Sequence, residues 1–312
     1  IEHSNPQAII ITETNIPSRE NLSYFGNANE AHFIYNFTLP PLILFSLLSG
    51  QSHLLKQWMM GMPPAQNGTS YFNFIASHDG IGLRPVEGIL SDEEVDELAA
   101  LMQRFGGDVS WRTTADGEHR PYELNISLID ALMGTFAGED DYQLQRFICA
   151  HAIMLSLEGV PAIYIHSLLA THNDHEKLDR SSNKRAINRH NWDYDDLVSH
   201  LEDQNSLHHK AFEQLTQIIS IRKLQKAFHP NATQFTMHFS EALFAFWRQS
   251  QDRSQSIFCI YNMTDQEQHG ALKDVNLIAL DDWRDLITGY CYEDPREDIA
   301  LKPYEFVWIT NK

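Results

Sequence analysis

The stretch 76–82, with the sequence ASHDGIG, constrains the possible fold more than any other part of the chain. It follows an aromatic run at 71–75 that is typical of a β-strand, so His78 and Asp79 stand where that strand would end. The two glycines that follow would let the backbone turn sharply. Catalytic groups at strand ends are typical of an α/β barrel, but a plain strand with an Asp-Gly turn explains the stretch equally well.

A second carboxylate, Glu13, follows another predicted strand. Residues 8–12 read AIIIT, an apolar and β-branched run of the kind expected for a strand buried on both faces. Glu13 comes directly after this run. Two strands that each deliver a carboxylate, here Glu13 and Asp79, predict an acid/base pair at one edge of a sheet.

Composition excludes several classes of protein. Hydrophobic residues make up 43% of the 312 residues and charged residues 21%, which is a globular balance. The net charge is −19, so we expect neither nucleic acid nor an anionic membrane surface as a partner. No run approaches the roughly 20 apolar residues of a transmembrane helix. The cysteines at 149, 259 and 291 are widely spaced and lack CxxC spacing, which indicates a reducing, cytoplasmic location.

The pattern of elements divides the chain near residue 225. Residues 1–225 alternate short apolar strands with helices, and one helix begins at an N-cap, Ser91, with Glu94 at the capping-box position. Residues 226–312 contain short aromatic runs without helices, which predict a small antiparallel β domain. The predicted helices are 42–48, 54–60, 91–105, 140–157 and 207–224; the later predicted strands are 162–165, 235–239, 243–247, 257–262 and 306–309; residues 109–125 and 171–204 are predicted as loops.

Two groups of conspicuous residues have ordinary explanations. His172, Asp174 and His175 lie close together in sequence, but they lack a metal-binding order, so we predict a solvated loop and no metal site. Trp111 and Trp192 lie in the predicted loops, where an indole could stack on a sugar ring, although core packing is the more common role of tryptophan.

Several motifs in order resemble the sucrose phosphorylase group of the α-amylase family, glycoside hydrolase family 13. The motifs are Glu13 after a strand, LPPL at 39–42, SHDGIG at 77–82, GVPAIY at 159–164 and RAINRH at 185–190. Within that group, PYELN at 121–125 is most similar to the glucosylglycerate phosphorylases, because a glutamine is usual in the sucrose enzymes where Glu123 stands.

The resemblance implies a fold and a reaction. The fold would be a (β/α)8 TIM barrel followed by a C-terminal β domain. The reaction would be a retaining double displacement that transfers glucose from an α-glucoside, glucosylglycerate or sucrose, to phosphate without a cofactor, giving α-glucose 1-phosphate.

The resemblance also implies roles for individual residues. Glu13 would be the general acid/base, and Asp79 would bind two sugar hydroxyls and favour the oxocarbenium-like transition state. The substrate-binding residues would be His78 and Arg189 at the glucose subsite, with Tyr122 and Glu123 on the loop that meets phosphate or the acceptor. A glycerate acceptor carries a carboxylate, and Arg120 is the nearest cation on that loop.

One part of the family pattern is missing. The family nucleophile is an Asp in an Arg-x-Asp motif on the fourth barrel strand, and no such motif precedes Glu13. We therefore expect residues 1–225 to be the barrel from about strand 5 onward, with 226–312 as the β domain. We also expect this chain alone to be inactive and to have the N-terminal half of the barrel as its partner; a homodimer is a further assembly that the sequence leaves open.

Two alternatives stay open at this stage. The chain could be an amylase-family hydrolase or isomerase, which dependence on phosphate would distinguish from a phosphorylase. It could also be a carbohydrate-binding relative without catalysis, against which the presence of both Glu13 and Asp79 argues.

Overall fold

A computed structural model describes residues 5, 7–26, 30–66, 68–114, 116–271, 283–294 and 297–311. Its α-helices are α1 (Ser18–Leu22), α2 (Leu39–Ser49), α3 (His53–Gly61), α4 (Asp92–Arg104), α5 (Leu128–Ala131), α6 (Gln143–Ser156), α7 (Ile165–Leu168), α8 (His175–Arg180), α9 (Tyr194–Glu202) and α10 (Leu207–Lys223). Short 3-10 helices lie at Ser23–Phe25, Arg84–Val86, Lys184–Asn188 and Lys226–Phe228. None of the helices in these ranges is long and apolar enough to cross a membrane.

The strands of the first part are β1 (Ile11–Thr12), β2 (Phe33–Tyr35), β3 (Ser70–Asn73), β4 (Ile81–Gly82), β5 (Asp108–Thr113), β6 (His119–Asn125), β7 (Gly134–Thr135), β8 (Gly138–Glu139) and β9 (Val160–Pro161). Those of the second part are β10 (Thr233–Thr236), β11 (Leu243–Gln249), β12 (Ser256–Asn262), β13 (Gln268–Ala271), β14 (Trp283–Asp285), β15 (Cys291–Tyr292), β16 (Asp298–Leu301) and β17 (Phe306–Thr310).

A four-stranded parallel sheet forms the frame of the first part. Its strand order is β1-β2-β3-β9, and all three pairings are parallel. Helices α2 and α3 connect β2 to β3 as a crossover of the kind parallel strands require. All side chains of α2 from Leu39 to Leu48 are buried, and Gly50 ends the helix in the left-handed conformation. The predicted parallel α/β arrangement is therefore confirmed.

Four local predictions in this part are wrong, and three of them concern β1 and the segments 162–165 and 171–204. Strand β1 is not buried on both faces, because it is an edge strand paired only with β2, and Ile9 and Ile11 are 61% and 44% exposed. Residues 162–165 do not form a strand, because the extended segment ends at Pro161 and the chain turns into α7 at Ile165. The polar segment 171–204 contains α8 and α9, whose first turns are capped by the side chains of Asp174 and Asp193.

The segment 109–125 forms a β-hairpin, which contradicts the predicted loop. Strands β5 and β6 pair antiparallel, and β4 adds to the other side of β6. Charged and turn-forming residues hid the strand pattern, since residues such as Arg112, His119 and Pro121 interrupt the apolar alternation. Helix α4 follows its prediction closely, and Ser91 and Glu94 form the reciprocal capping box.

The second part is a six-stranded antiparallel sheet in the order β10-β11-β12-β17-β14-β15, which confirms the predicted β region. The sheet packs on α6: the Tyr261 hydroxyl donates to the Ala152 carbonyl at 3.2 Å and accepts from the Trp308 indole at 2.8 Å. Phe244 and Phe246 belong to the same hydrophobic cluster as the α2 and α6 side chains. The domain boundary at residue 225 stays a prediction.

Arg248 connects this sheet to the C-terminal end of α6 through hydrogen bonds. It is fully buried and donates to the carbonyls of Ser156, His229 and Ala232 at 2.6, 2.9 and 3.2 Å. Burial lowers the pKa of its guanidinium to about 10. Arg248→Met is expected to lower the free energy of unfolding by about 3 kcal/mol, because three buried carbonyls lose their donor. Urea unfolding measures this loss.

The matched control is Arg180→Met, which removes an exposed ion pair with Glu176 on α8. It is expected to cost less than about 0.5 kcal/mol. Equal losses for the two variants would contradict the anchoring role of Arg248.

His151 on α6 predicts a pH dependence of stability. It is fully buried and its Nδ1 lies 2.8 Å from the Phe147 carbonyl, to which the neutral ring donates. Burial lowers its pKa to about 4, against a smaller opposing effect of that hydrogen bond. Because the unfolded ring takes up a proton below its ordinary pKa of about 6.5, the free energy of unfolding falls as pH falls from there toward the folded pKa.

His151→Phe is therefore expected to reduce the loss of stability between about pH 7 and about pH 5 by about 2 kcal/mol, measured by urea unfolding at both values. The exposed His119 provides the matched control, His119→Phe, which should keep the wild-type pH dependence. An unchanged dependence in His151→Phe would contradict the lowered pKa of the buried histidine.

Candidate functional site

Asp79 lies beyond the carboxyl end of β3 and is surrounded by cations. Its Oδ1 accepts from Arg185 Nη1 at 2.6 Å and from Arg189 Nη2 at 3.2 Å, and His78 Nε2 is 3.5 Å away. The Asp79 side chain is 24% exposed and that of His78 is 62% exposed. The structure therefore places His78, Asp79 and Arg189 together, as the sequence predicts, with the carboxylate open to a ligand.

Hydrogen bonds from the 3-10 helix Lys184–Asn188 hold the backbone of residues 77–79 in place. The Asn188 amide donates to the carbonyls of Ser77 and Asp79 at 3.3 and 2.8 Å. Arg189 Nε donates to the His78 carbonyl at 2.6 Å. These contacts hold the turn that follows β3, so the RAINRH motif acts as its support.

Arg185 is a residue of the site that the sequence analysis missed. Its Nε and Nη2 donate to the two carboxylate oxygens of Glu123 at 3.0 and 2.7 Å, while Nη1 reaches Asp79. The Glu123 bond is the main reason that the pKa of Arg185 is raised above its ordinary value. The signal for Arg185 was present in the same RAINRH motif, four residues before Arg189.

The two glycines after Asp79 are needed for close approach and not for a turn. Neither has a positive φ. A Cβ on Gly80 would lie 2.4 Å from the Leu124 carbonyl oxygen and 2.6 Å from Glu123 Cγ, and one on Gly82 would lie 2.7 Å from the Asn15 amide. The backbone bends at His78 and Asp79, just before the glycines. Gly80 lets the hairpin pack on the Asp79 segment, and Gly82 lets Asn15 do so.

Glu13 follows β1 at the same edge of the parallel sheet, and its side chain is exposed. Strand β2 lies between β1 and β3, so these two strands are about 10 Å apart. Glu13 also acts electrostatically on Tyr35, whose pKa is raised first by burial and second by this carboxylate. Tyr122 is linked to the same loop, because its hydroxyl lies 3.5 Å from the Asn15 amide.

Tyr164 borders the site on the side of β9. Its hydroxyl donates to the Asn188 carbonyl at 2.9 Å. Burial raises its pKa, while Arg189 lowers it and Asp79 raises it. The ring therefore lies within the electrostatic field of both Arg189 and Asp79.

The other conspicuous residues are paired elsewhere. His172 Nδ1 lies 2.5 Å from Asp130, which raises the histidine pKa, and His190 Nδ1 lies 2.7 Å from Asp174. Among the described ranges, no group of three His, Cys, Asp or Glu side chains could hold a metal ion. Trp192 packs edge-on against His190, His200 and His208.

Arg120 is not the open cation that a glycerate carboxylate would need. Its guanidinium binds Asp92 at 2.8 Å and Glu118 at 3.1 Å. It lines a separate cavity of about 380 Å³ between α4 and the hairpin. Trp111 is half exposed on the same hairpin.

Comparison with known proteins agrees with the motifs at this site. A glucosylglycerate phosphorylase of Spirochaeta thermophila is 36% identical over an alignment of 313 positions, which covers 98% of this chain and 53% of that protein. The chain is homologous to the glucosylglycerate phosphorylases. The glucosylglycerate phosphorylase of Escherichia coli is likewise 36% identical, over 99% of this chain and 54% of its own length. The predicted resemblance is thereby confirmed. No protein-family model matches the chain.

The solved structures confirm the fold. The crystal structure of sucrose 6F-phosphate phosphorylase from Thermoanaerobacter thermosaccharolyticum superposes with a TM-score of 0.69 at 19% identity, covering 83% of this chain and 49% of that one. The chain thus spans about half the length of the relatives it matches. The predicted fold class, part of a TIM barrel followed by an antiparallel β region, agrees with this match.

Proposed function

We propose that the protein transfers glucose from an α-glucoside, glucosylglycerate in the first place, to phosphate and so forms α-glucose 1-phosphate. The observation that carries the proposal is the Asp79 carboxylate, held at a strand end by Arg185 and Arg189 and open to a ligand. Homology to glucosylglycerate phosphorylases over almost the whole chain supports the substrate class.

In this proposal the chemistry is shared between two carboxylates. Glu13 protonates the glycosidic oxygen as it departs and later removes a proton from the incoming phosphate. Asp79 accepts hydrogen bonds from two glucose hydroxyls and stabilises the positive charge that develops on the sugar ring. Both Asp79 contacts with arginine end on Oδ1, so Oδ2 is the oxygen that faces a ligand.

The remaining predicted site residues lie around Glu13 and Asp79. His78 is exposed beside Asp79 and can donate to a glucose hydroxyl, while Arg189 borders the same subsite. Tyr122 lies on strand β6 and is within reach of the loop after Glu13, where phosphate or the acceptor would enter.

We propose further that residues 1–312 alone do not turn over a glucoside. A retaining mechanism needs a nucleophile about 5 Å from the acid/base, and the chain spans only about half the length of its phosphorylase relatives. We infer that the nucleophile comes from the N-terminal half of a barrel. Turnover by purified residues 1–312 would refute this proposal.

The location and assembly of the protein are also proposals. Cys149 and Cys259 are buried and Cys291 is exposed, and all three are unpaired, which supports a reducing cytoplasmic location. A homodimer is testable by light scattering on the native protein.

The reaction is tested in the synthetic direction with the native protein. α-Glucose 1-phosphate is supplied with either D-glycerate or fructose, and release of phosphate is followed. Release with glycerate and little with fructose supports the proposal, whereas release with fructose alone indicates a sucrose enzyme. Release of phosphate without any acceptor, with an equal amount of free glucose formed, would favour a hydrolase; no conversion, with sugar still bound, would favour a binding protein.

A further inference from the structure

We propose that Arg185 is a positioning residue that couples the Asp79 carboxylate to Glu123, and that Glu123 acts on the reaction through Arg185 without touching phosphate or acceptor. This inference rests on the proposed function, because it assigns Asp79 to the glucose subsite. It replaces the substrate-binding role that the sequence suggested for Glu123.

The guanidinium of Arg185 is divided between two carboxylates. Two nitrogens form a fork on Glu123, at 3.0 and 2.7 Å, and the third donates to Asp79 Oδ1 at 2.6 Å. A planar guanidinium fixes the directions of its donors relative to one another. The position of Glu123 therefore determines the direction from which Arg185 meets Asp79.

Glu123 is positioned to hold Arg185, and its carboxylate is not accessible to a ligand. Its residue is 3% exposed, and both of its carboxylate oxygens are occupied by Arg185. It lies on β6, the central strand of its sheet, opposite Gly82 on one side and Ser110 on the other. Gly80 packs so closely that any side chain there would meet Glu123 Cγ. A phosphate or glycerate oxygen would have to displace this pairing.

The two arginines and the histidine beside Asp79 all meet the same oxygen of its carboxylate. Arg185, Arg189 and His78 approach Oδ1 at 2.6, 3.2 and 3.5 Å. Among the residues described, none donates to Oδ2. This arrangement fixes the rotation of the carboxylate and leaves one oxygen for sugar hydroxyls. It persists only while Glu123 keeps the other two donors of Arg185 occupied.

Replacing Glu123 with glutamine would change how the donors of Arg185 are divided between residue 123 and Asp79. The amide oxygen can still accept from one guanidinium nitrogen, but the amide N–H groups face the other donor and repel it. The nearest remaining anion is Asp79, so the guanidinium should swing to bind both of its oxygens. Sugar hydroxyls would then compete with Arg185 for Oδ2.

The test is a double-mutant cycle in the native protein with E123Q, R185K and the double variant, assayed for glucosyl transfer to phosphate and to D-glycerate. Competition of Arg185 with the sugar hydroxyls for Asp79 Oδ2 is expected to lower kcat by about 10- to 100-fold in E123Q. The KM for phosphate should stay within about threefold, because no acceptor contact is lost. R185K cannot form the fork, so the double variant should be no slower than R185K alone.

The matched control is E118Q, the same substitution on the same hairpin, which removes the exposed pairing with Arg120. It should leave kcat and KM unchanged. A rise in the KM for phosphate or glycerate with unchanged kcat in E123Q would overturn the inference in favour of a direct acceptor contact. Additive effects of E123Q and R185K would overturn it as well.

A crystal structure of E123Q provides a readout that does not depend on turnover. The inference predicts Arg185 on both oxygens of Asp79; a guanidinium that stays in its wild-type place would contradict it. If the wild type released no phosphate from α-glucose 1-phosphate, the proposed function would fail, while this structure would still decide whether Glu123 controls the arginine.

Discussion

Glu13→Gln is expected to lower kcat for phosphorolysis of glucosylglycerate by at least about 100-fold and by up to about 10,000-fold, the range that a positioned acid/base contributes. The substitution keeps the size of the side chain and removes its ability to donate and recover a proton. Glu13 is exposed beyond β1 and makes no buried ion pair in the described chain, so folding should not change. Steady-state kinetics on the native protein measure the loss.

A donor with a better leaving group separates acid catalysis from binding. α-Glucosyl fluoride needs little protonation on departure, so Glu13→Gln should form the glucosyl intermediate from it far faster than from the natural glucoside. The control is Glu20→Gln on the following helix, which is exposed and should behave as wild type. Equal losses with both donors would mean that Glu13 binds the sugar and does not transfer a proton.

Asp79→Asn is expected to lower kcat/KM for the glucosyl donor by about 100- to 1000-fold, comparable with the removal of one preorganised stabilising group. The asparagine keeps the shape of the side chain but loses the charge that faces the developing oxocarbenium ion. Arg189 would then lose its carboxylate partner at the subsite, whereas Arg185 would keep its fork on Glu123. Kinetics and the Kd for glucose both report the change.

Asp92→Asn serves as the matched control for Asp79→Asn. Asp92 also binds an arginine, Arg120 at 2.8 Å, but in an exposed pair outside the site. Its kinetic parameters should equal those of the wild type. If Asp79→Asn retained activity within about threefold of the wild type, Asp79 would not stabilise the transition state.

The strand-end residues could be predicted because their positions follow from local pattern. An apolar run followed by Glu13, and an aromatic run followed by His78 and Asp79, place these groups at one edge of a parallel sheet. The capped helix α4 was equally visible, since its cap and apolar spacing lie in adjacent residues. Both signals are local in sequence.

What the sequence did not reveal depends on distant contacts. The Arg185 pairings with Asp79 and Glu123 join residues 106 and 62 positions apart, so nothing local distinguishes Arg185 from a solvated arginine. Glu123 was predicted to face a ligand because of the family resemblance of its loop, yet strand pairing on both sides buries it. The exposure of Ile9 and Ile11 likewise follows from the edge position of β1 and not from their composition.

The most direct test of the central claim is proton NMR of the sugar product formed by the native protein from glucosylglycerate and phosphate. The account predicts α-glucose 1-phosphate with its anomeric configuration retained, formed only when phosphate is present and lost in Glu13→Gln. Free glucose formed at the same rate without phosphate, or a product of inverted configuration, would contradict it.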